Sequence, residues 1–281
     1  MLSANGLSVV LGGRAVLQGA NVAIREGEVV AVLGPNGAGK STLLAALTGA
    51  LVPSEGNVFY GDRELPKIGV SELALLRAVL EQTPARDLDF TVQELLELAL
   101  DRAIPPEDAS VIVARALNTM DIERYTTTRI RALSGGEAHR AHMARVLAQL
   151  WAGRHLGRGR YLLVDEPTAS LDLRHQSSVL RAVREAADDG AGVLIILHEL
   201  NQAMAIADRV VLLADGRIAM EGTPAEVLVP EVLEPVYGVP IDLIEHRQGH
   251  MLSPRYAVPS KQNSTSQLRE ETTDVRCDEP V

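Results

Sequence analysis

The residues whose types and spacing most directly suggest chemistry form a glycine-rich segment, GPNGAGKS, at positions 34–41. Its spacing fits G-x-x-x-x-G-K-[ST], a loop between a strand and a helix that wraps backbone N–H groups around phosphate oxygens. We expect Lys40 to reach the β- and γ-phosphates of a nucleotide and the Ser41 hydroxyl to bind Mg²⁺. A chance glycine-rich turn is the alternative, and the strand-like and helix-like flanks disfavour it. The predicted nucleotide contacts are Gly34, Pro35, Asn36, Gly37, Ala38, Gly39, Lys40, Ser41 and Thr42.

Two carboxylates and a histidine follow apolar runs farther along the chain. Asp165 and Glu166 end YLLVDE, and His198 follows GVLIIL. If these runs are strands parallel to the one before the phosphate loop, all three side chains reach the same edge of the sheet. Asp165 then positions Mg²⁺, Glu166 polarises the water that attacks the γ-phosphate, and His198 hydrogen-bonds that phosphate or holds the water. Taken singly, the pair also fits an ordinary acidic turn and His198 a structural histidine, but the phosphate loop favours catalysis.

The elements that must position these residues alternate between strand and helix. Three continuous apolar runs, VVAVL, YLLVD and GVLIIL, are typical of strands buried on both faces. Residues 1–33 indicate short strands with turns. Between about 67 and 150, apolar residues recur at helical spacing, as in VSELALLRAVL and VQELLELALDRA, which predicts a largely helical insertion. The pattern favours an α/β core with a parallel sheet and a helical subdomain.

Composition narrows the class of protein further. The 281 residues carry a net charge of −10, which argues against binding nucleic acid over a wide face but leaves room for a small phosphate site. The longest apolar runs are about five residues, far short of the roughly 20 of a membrane span. The single cysteine, Cys277, excludes an internal disulfide. We therefore expect a soluble intracellular protein with a disordered polar tail at 259–281.

A second glycine-containing motif, LSGGE at positions 133–137, decides between phosphate-loop classes. It resembles the signature motif of ABC-transporter ATPases. Gln82 likewise resembles the Q-loop glutamine, SLD at 170–172 the D-loop and His198 the switch histidine. The resemblance covers about residues 1–258. It implies an α/β fold in which a P-loop NTPase core with a parallel sheet carries an N-terminal antiparallel β element and a helical subdomain.

The resemblance also implies how the motifs work together. ATP with Mg²⁺ is bound between two subunits of a head-to-tail homodimer, so that the signature motif of one closes on the γ-phosphate held by the other. The start of the helix after LSGGE supplies a second anion-binding end for this contact. The implied roles are catalysis for Glu166, His198 and Gln82, metal binding for Ser41, Gln82 and Asp165, and nucleotide contact for Ser134, Gly135, Gly136 and Asp172.

The assembly implied by the resemblance is an importer. Two integral-membrane permease subunits dock on the ATPase dimer at the cytoplasmic face of the cell membrane, and a substrate-binding protein takes part indirectly, without nucleic acid. One ATPase domain at 1–258 includes a helical subdomain at about 83–150 and a small C-terminal extension at about 230–258.

The segments RYLLVDEPTASLDLRHQ, LHELNQA and EVLEPVYGVPIDLI are similar to the importer branch for iron-siderophores, cobalamin and heme, and nearest to heme. Iron-siderophore or cobalamin import is the alternative, followed by a soluble non-transport ABC ATPase. A nucleotide-binding regulator without hydrolysis is disfavoured by Glu166 and His198.

Two features depart from the family pattern or invite a further role. Where many members stack an aromatic residue on adenine, this chain has Leu11 or Val10, so we expect an apolar adenine contact supplemented by Val16. His139 and His142 share one helix face after LSGGE. We expect them to be exposed polar residues rather than heme ligands.

Overall fold

The structure is a computed structural model, and it describes residues 1–82, 88–246 and 249–255. The tail predicted at 259–281, with Cys277, lies outside the described residues. In chain order the strands are β1 (Leu2–Leu11), β2 (Arg14–Ile24), β3 (Val29–Leu33), β4 (Glu55–Tyr60), β5 (Arg63–Glu64), β6 (Arg77–Leu80), β7 (Tyr161–Asp165), β8 (Gly192–Ile196), β9 (Arg209–Ala214), β10 (Arg217–Gly222), β11 (Ile241–His246) and β12 (Gly249–Pro254). The helices are α1 (Lys40–Thr48), α2 (Val70–Leu76), α3 (Val92–Glu97), α4 (Pro106–Thr119), α5 (Gly135–His155), α6 (Leu173–Asp188), α7 (Leu200–Ile206), α8 (Pro224–Val227) and α9 (Pro230–Tyr237).

A six-stranded sheet forms the centre of the molecule, in the order β10-β9-β3-β8-β7-β6. The five strands from β9 to β6 are parallel, and β10 returns antiparallel to β9 through a turn at Asp215 and Gly216. All residues of β3, β7 and β8 are buried, as their continuous apolar sequences predict. The carboxyl ends of these strands therefore meet at one edge of a rigid sheet.

An antiparallel sheet at the amino-terminal end packs over the first helix. Its strand order is β2-β1-β4-β5, which confirms the antiparallel element and extends it to residues 55–64. Leu43 and Leu47 of α1 are fully buried in the apolar cluster between the two sheets. This packing fixes the helix that follows the phosphate loop.

The segment VSELALLRAVL, at 70–80, is helical only in its first part, which corrects the prediction that all of it is helical. Helix α2 ends at Leu76, and Arg77–Leu80 forms β6, which pairs in parallel with β7. Ala78 and Leu80 are fully buried in the core. Tertiary pairing with a strand more than 80 residues away overrides the local helical spacing at this point.

Helices α3, α4 and α5 pack together beside the sheet, in the region predicted to be a helical subdomain. The capping boxes at Thr91 and Ser134 begin α3 and α5. The C-terminal region holds α9 and the hairpin β11–β12. Asn201 on α7 fastens this hairpin, because its amide donates to the Leu252 carbonyl (3.0 Å) and accepts from the Leu252 N–H (2.8 Å).

Candidate active site

The phosphate loop links the end of β3 to the start of α1 through backbone conformations that glycine allows. Gly34, Gly37 and Gly39 have φ angles of 146°, 80° and 104°. Gly34 also lies against the neighbouring strand, because a Cβ built on it would be 2.1 Å from the Leu213 carbonyl oxygen. The loop is therefore pressed against β9 and fixed in the shape that the motif predicts.

Lys40 places its charge inside this loop. Its side chain is buried, and its ammonium group donates to the Gly34 carbonyl (2.8 Å) and the Pro35 carbonyl (3.1 Å). Burial lowers the pKa of Lys40, while the negative charges of Glu166 and Asp165 act in the opposite direction. A cation held among carbonyls and carboxylates is suited to a polyphosphate, which offers it stronger acceptors.

Asp165 and Ser41 form an oxygen-rich corner next to the lysine. Asp165 is 2% exposed, and its Oδ1 atom has no hydrogen-bond partner among the described residues. Burial raises the pKa of Asp165, and a hydrogen bond from Ser41 lowers it. A buried carboxylate oxygen without a partner, beside a hydroxyl, fits Mg²⁺, which is commonly held by one or two protein oxygens together with substrate phosphates. Among the described residues, no group of three or more acidic, histidine or cysteine side chains forms a separate metal cage.

Three residues predicted to be catalytic meet at one atom. Gln82 donates from Nε2 to Oε1 of Glu166 (3.0 Å), and His198 Nε2 contacts the same oxygen. Gln82 follows β6, Glu166 follows β7 and His198 follows β8, three adjacent parallel strands whose ends converge. Glu166 itself has a φ angle of 49°, an uncommon backbone conformation for a residue with a side chain.

These groups open onto a cavity of about 500 Å³ that includes the phosphate loop. It is lined by Val16, Asn36, Gly37, Gly39, Lys40, Ser41, Thr42, Gln82, Glu166 and His198. Val16 lines this cavity, whereas Leu11 and Val10 are 45% and 49% exposed and do not line it, and the adenine contact stays a prediction. The other three predicted loop residues, Gly34, Pro35 and Ala38, do not line the cavity.

The signature segment forms a separate helix start. Ser134 caps α5, and its backbone N–H (2.8 Å) and hydroxyl (2.6 Å) donate to Oε2 of Glu137. The Tyr125 hydroxyl donates to the other oxygen of Glu137. These hydrogen bonds, that of the Ser134 hydroxyl first, lower the pKa of Glu137 to about 2. None of Ser134, Gly135 and Gly136 lines the cavity at the phosphate loop, so the two motifs are not brought together within the described residues of one chain.

Asp172 caps a different helix. Its carboxylate accepts from the His175 backbone N–H (2.9 Å) at the start of α6 and contacts the His175 ring nitrogen Nδ1 (2.8 Å). It too lies outside the residues that line the cavity. Like the signature residues, Asp172 stays a predicted nucleotide contact, and within the described residues it does not meet the phosphate loop.

The structure corrects the expectation that His139 and His142 are exposed, and it adds Tyr125 to the residues around the signature motif. The two histidines are 7% and 3% exposed, and His139 Nε2 is 2.8 Å from the Pro167 carbonyl oxygen. Packing against α2, α3, α4 and the edge of the central sheet buries α5, so the burial of its histidines has no local sequence signal. The contact of Tyr125 with Glu137 has no local signal either.

A phosphate loop, with a glutamine, a glutamate and a histidine brought together beside it at the ends of parallel strands, is typical of a P-loop ATPase. The chain belongs to the ABC transporter family, whose model matches residues 17–169. It is 45% identical over 257 residues to the hemin import ATP-binding protein HmuV of Pseudomonas fluorescens, covering 90% of this chain and 98% of that protein. The HmuV protein of Rhodococcus jostii is 43% identical over 248 residues, which cover 87% of this chain and 82% of that protein.

The solved structures agree with this assignment. A dimeric ATP-binding cassette in a post-hydrolysis state, bound to ADP and Pi, is similar with a TM-score of 0.69 and 26% identity, covering 80% of this chain and 99% of that one. The chain is thus an ABC ATPase, in which ATP hydrolysis is coupled to transport. In the part of the chain that the structure describes, no helix has the length and apolar character needed to cross a bilayer.

Proposed function

We propose that this chain hydrolyses ATP to drive hemin import through a membrane permease. The observation that carries the ATPase part is the convergence of Gln82 and His198 on one oxygen of Glu166, beside Lys40 and the phosphate loop. The hemin part is supported by relatives of 41–45% identity that are named hemin import ATP-binding proteins. One ATPase domain spans residues 1–258 in this proposal, with the helical subdomain at 83–150 and a C-terminal extension at 230–258.

In the proposed mechanism the loop residues 34–42 hold the phosphates. Lys40 moves its ammonium group from the loop carbonyls to the β- and γ-phosphates, while Ser41, Asp165 and Gln82 would hold Mg²⁺. When bound, that ion neutralises charge on the phosphates as the leaving group departs. Glu166 orients the attacking water and accepts its proton, and His198 supports the γ-phosphate or the water.

The proposal assigns the signature residues to a second subunit. Ser134, Gly135 and Gly136 begin a 21-residue helix whose amino-terminal end attracts anions, yet they lie away from the cavity of their own chain. A homodimer brings this helix end and Asp172 to the nucleotide of the partner. Two integral-membrane permease subunits dock on the dimer at the cytoplasmic face of the membrane, a substrate-binding protein delivers the cargo, and nucleic acid plays no part.

The substitution Glu166→Gln tests the ATPase mechanism. The amide keeps the shape of the side chain but cannot accept the proton, so ATP binding should persist while turnover falls by at least about 100-fold, the lower end of general-base effects. Size-exclusion chromatography with ATP should then show a trapped dimer. Hydrolysis at the wild-type rate would refute the role of Glu166, and a monomer with bound ATP would refute the homodimer.

Growth on different iron sources tests the cargo. Cells that lack this chain should fail to grow on hemin as the sole iron source, and the wild-type gene should restore growth where the Glu166→Gln gene does not. Uptake of ferric siderophores and of cobalamin serves as the matched control. Loss of either of these with hemin use intact would replace hemin by that substrate in the proposal.

A further inference from the structure

A buried histidine on the signature helix reaches the loop that carries the catalytic carboxylate. His139 lies in the second turn of α5 and is 7% exposed. Its Nε2 atom is 2.8 Å from the Pro167 carbonyl oxygen. A carbonyl oxygen only accepts hydrogen bonds, so Nε2 carries a proton and donates it to this contact.

Pro167 directly follows Glu166, whose backbone needs support from its surroundings. A residue with a side chain at a φ of 49° is strained by about 1–3 kcal/mol, and it persists only where neighbouring groups hold it. Two backbone hydrogen bonds contribute: Glu166 N–H donates to the Ile196 carbonyl (3.1 Å), and Ala169 N–H donates to the Glu166 carbonyl (3.1 Å). The first ties the turn to β8, and the second closes it on itself.

Helix α5 supports the same turn from the other side. Its first turn lies against the loop, since a Cβ built on Gly136 would be 3.4 Å from the Ser170 carbonyl oxygen. The His139 imidazole then reaches the Pro167 carbonyl one turn farther along the helix. Strand β8 and helix α5 thus both contact the turn that carries Glu166, and His139 donates to it from α5.

We propose that His139 is a positioning residue for ATP hydrolysis. By holding the Pro167 carbonyl, it fixes the turn that aims the Glu166 carboxylate at Gln82, His198 and the attacking water. It touches neither the nucleotide nor the reacting atoms, and it lies outside the residues that line the cavity. The inference rests on the proposed catalytic role of Glu166.

Two substitutions of similar size separate the hydrogen bond from the packing. Glutamine in His139→Gln keeps an N–H donor, whereas methionine in His139→Met has almost the same length and no donor. In the full chain we expect His139→Gln to retain kcat within about twofold. His139→Met should lower kcat about tenfold, since a small displacement of a reacting group slows catalysis by such factors. The KM for ATP should stay within about twofold in both, because the phosphate loop is untouched.

Equal kcat values for the two variants, or a loss that appears in KM, would overturn the proposal. Circular dichroism checks that each variant folds. Should His139→Met not fold, the wild-type chain still supplies a test by nitrogen NMR of labelled histidine. His139 must then show a protonated Nε2, and an unprotonated Nε2 overturns the proposal. Glu166→Gln is measured in parallel: if it remains active, the role of Glu166 fails, whereas the tautomer result stands independently.

Discussion

Replacing Gly34 by alanine tests whether the phosphate loop is held by its close approach to β9. The added Cβ would lie 2.1 Å from the Leu213 carbonyl oxygen, far inside the 3.0 Å that real Cβ atoms respect. Neither partner can retreat easily, because β3 and β9 are paired up to Leu33 and Leu212. The substitution must therefore either separate the two strands at this end or distort the start of the loop.

The magnitude follows from two contributions. Alanine at a φ of 146° adds backbone strain of about 1–3 kcal/mol. Forcing a methyl group into packed structure adds about 1–3 kcal/mol more. We expect the free energy of unfolding to fall by about 4 kcal/mol, which corresponds to a loss of roughly 8–16 °C in Tm for a chain of this size.

Gly37→Ala is the matched control, in the same loop and with the same added methyl group. Gly37 also has a positive φ, of 80°, but a Cβ there would meet no atom within 4 Å. Only left-handed strain of about 1–2 kcal/mol remains. Urea unfolding without nucleotide measures both variants. Equal destabilisation by the two, or a loss below about 1.5 kcal/mol for Gly34→Ala, would refute the argument from close approach to β9.

Two further predictions concern contacts outside the phosphate loop. Tyr125→Phe removes one donor from Glu137, so carbon NMR should show the pKa of Glu137 above its value of about 2, and an unchanged pKa would contradict the contact. Because folding depresses this pKa, the stabilisation lost in Tyr125→Phe should be full above about pH 4.5 and vanish as the pH falls towards 2. Asn201→Ala removes both hydrogen bonds to the Leu252 backbone, which should lower the free energy of unfolding by about 1–3 kcal/mol and speed amide exchange at Leu252. Unaltered exchange there would show that the hairpin is held by other contacts.

The phosphate loop and the ends of β7 and β8 could be predicted because their signals are local. Continuous apolar runs indicate the buried strands. The polar residue after each run lies at the carboxyl end of its strand, which is the edge of a parallel sheet where ligands bind. For this reason the sequence predicts that Glu166 and His198 lie close together, as they do in the structure. Gln82 could be assigned to the same site only from its resemblance to a family motif.

The remaining features depend on contacts between distant segments. Strand β6 looks helical in sequence, since only pairing with β7 selects the extended conformation. The burial of His139 follows from the packing of α5 on all sides, and the Tyr125 contact joins residues from two elements. The positive φ of Glu166 likewise has no sequence signal, because glycine is the residue that usually marks such a conformation and glutamate does not.

The pair of hydrogen bonds between Asn201 and the Leu252 backbone, here called the clip, lies next to a position that is suited to a fluorescent label. Helix α7 begins two residues after His198, and the two hydrogen bonds of Asn201 join this helix to β12. Met251 is 42% exposed beside the clip. A dye attached there through Met251→Cys, with the single cysteine Cys277 replaced by serine, would report by its fluorescence any movement of α7 and the hairpin when nucleotide is added. The label leaves every residue that lines the cavity unchanged.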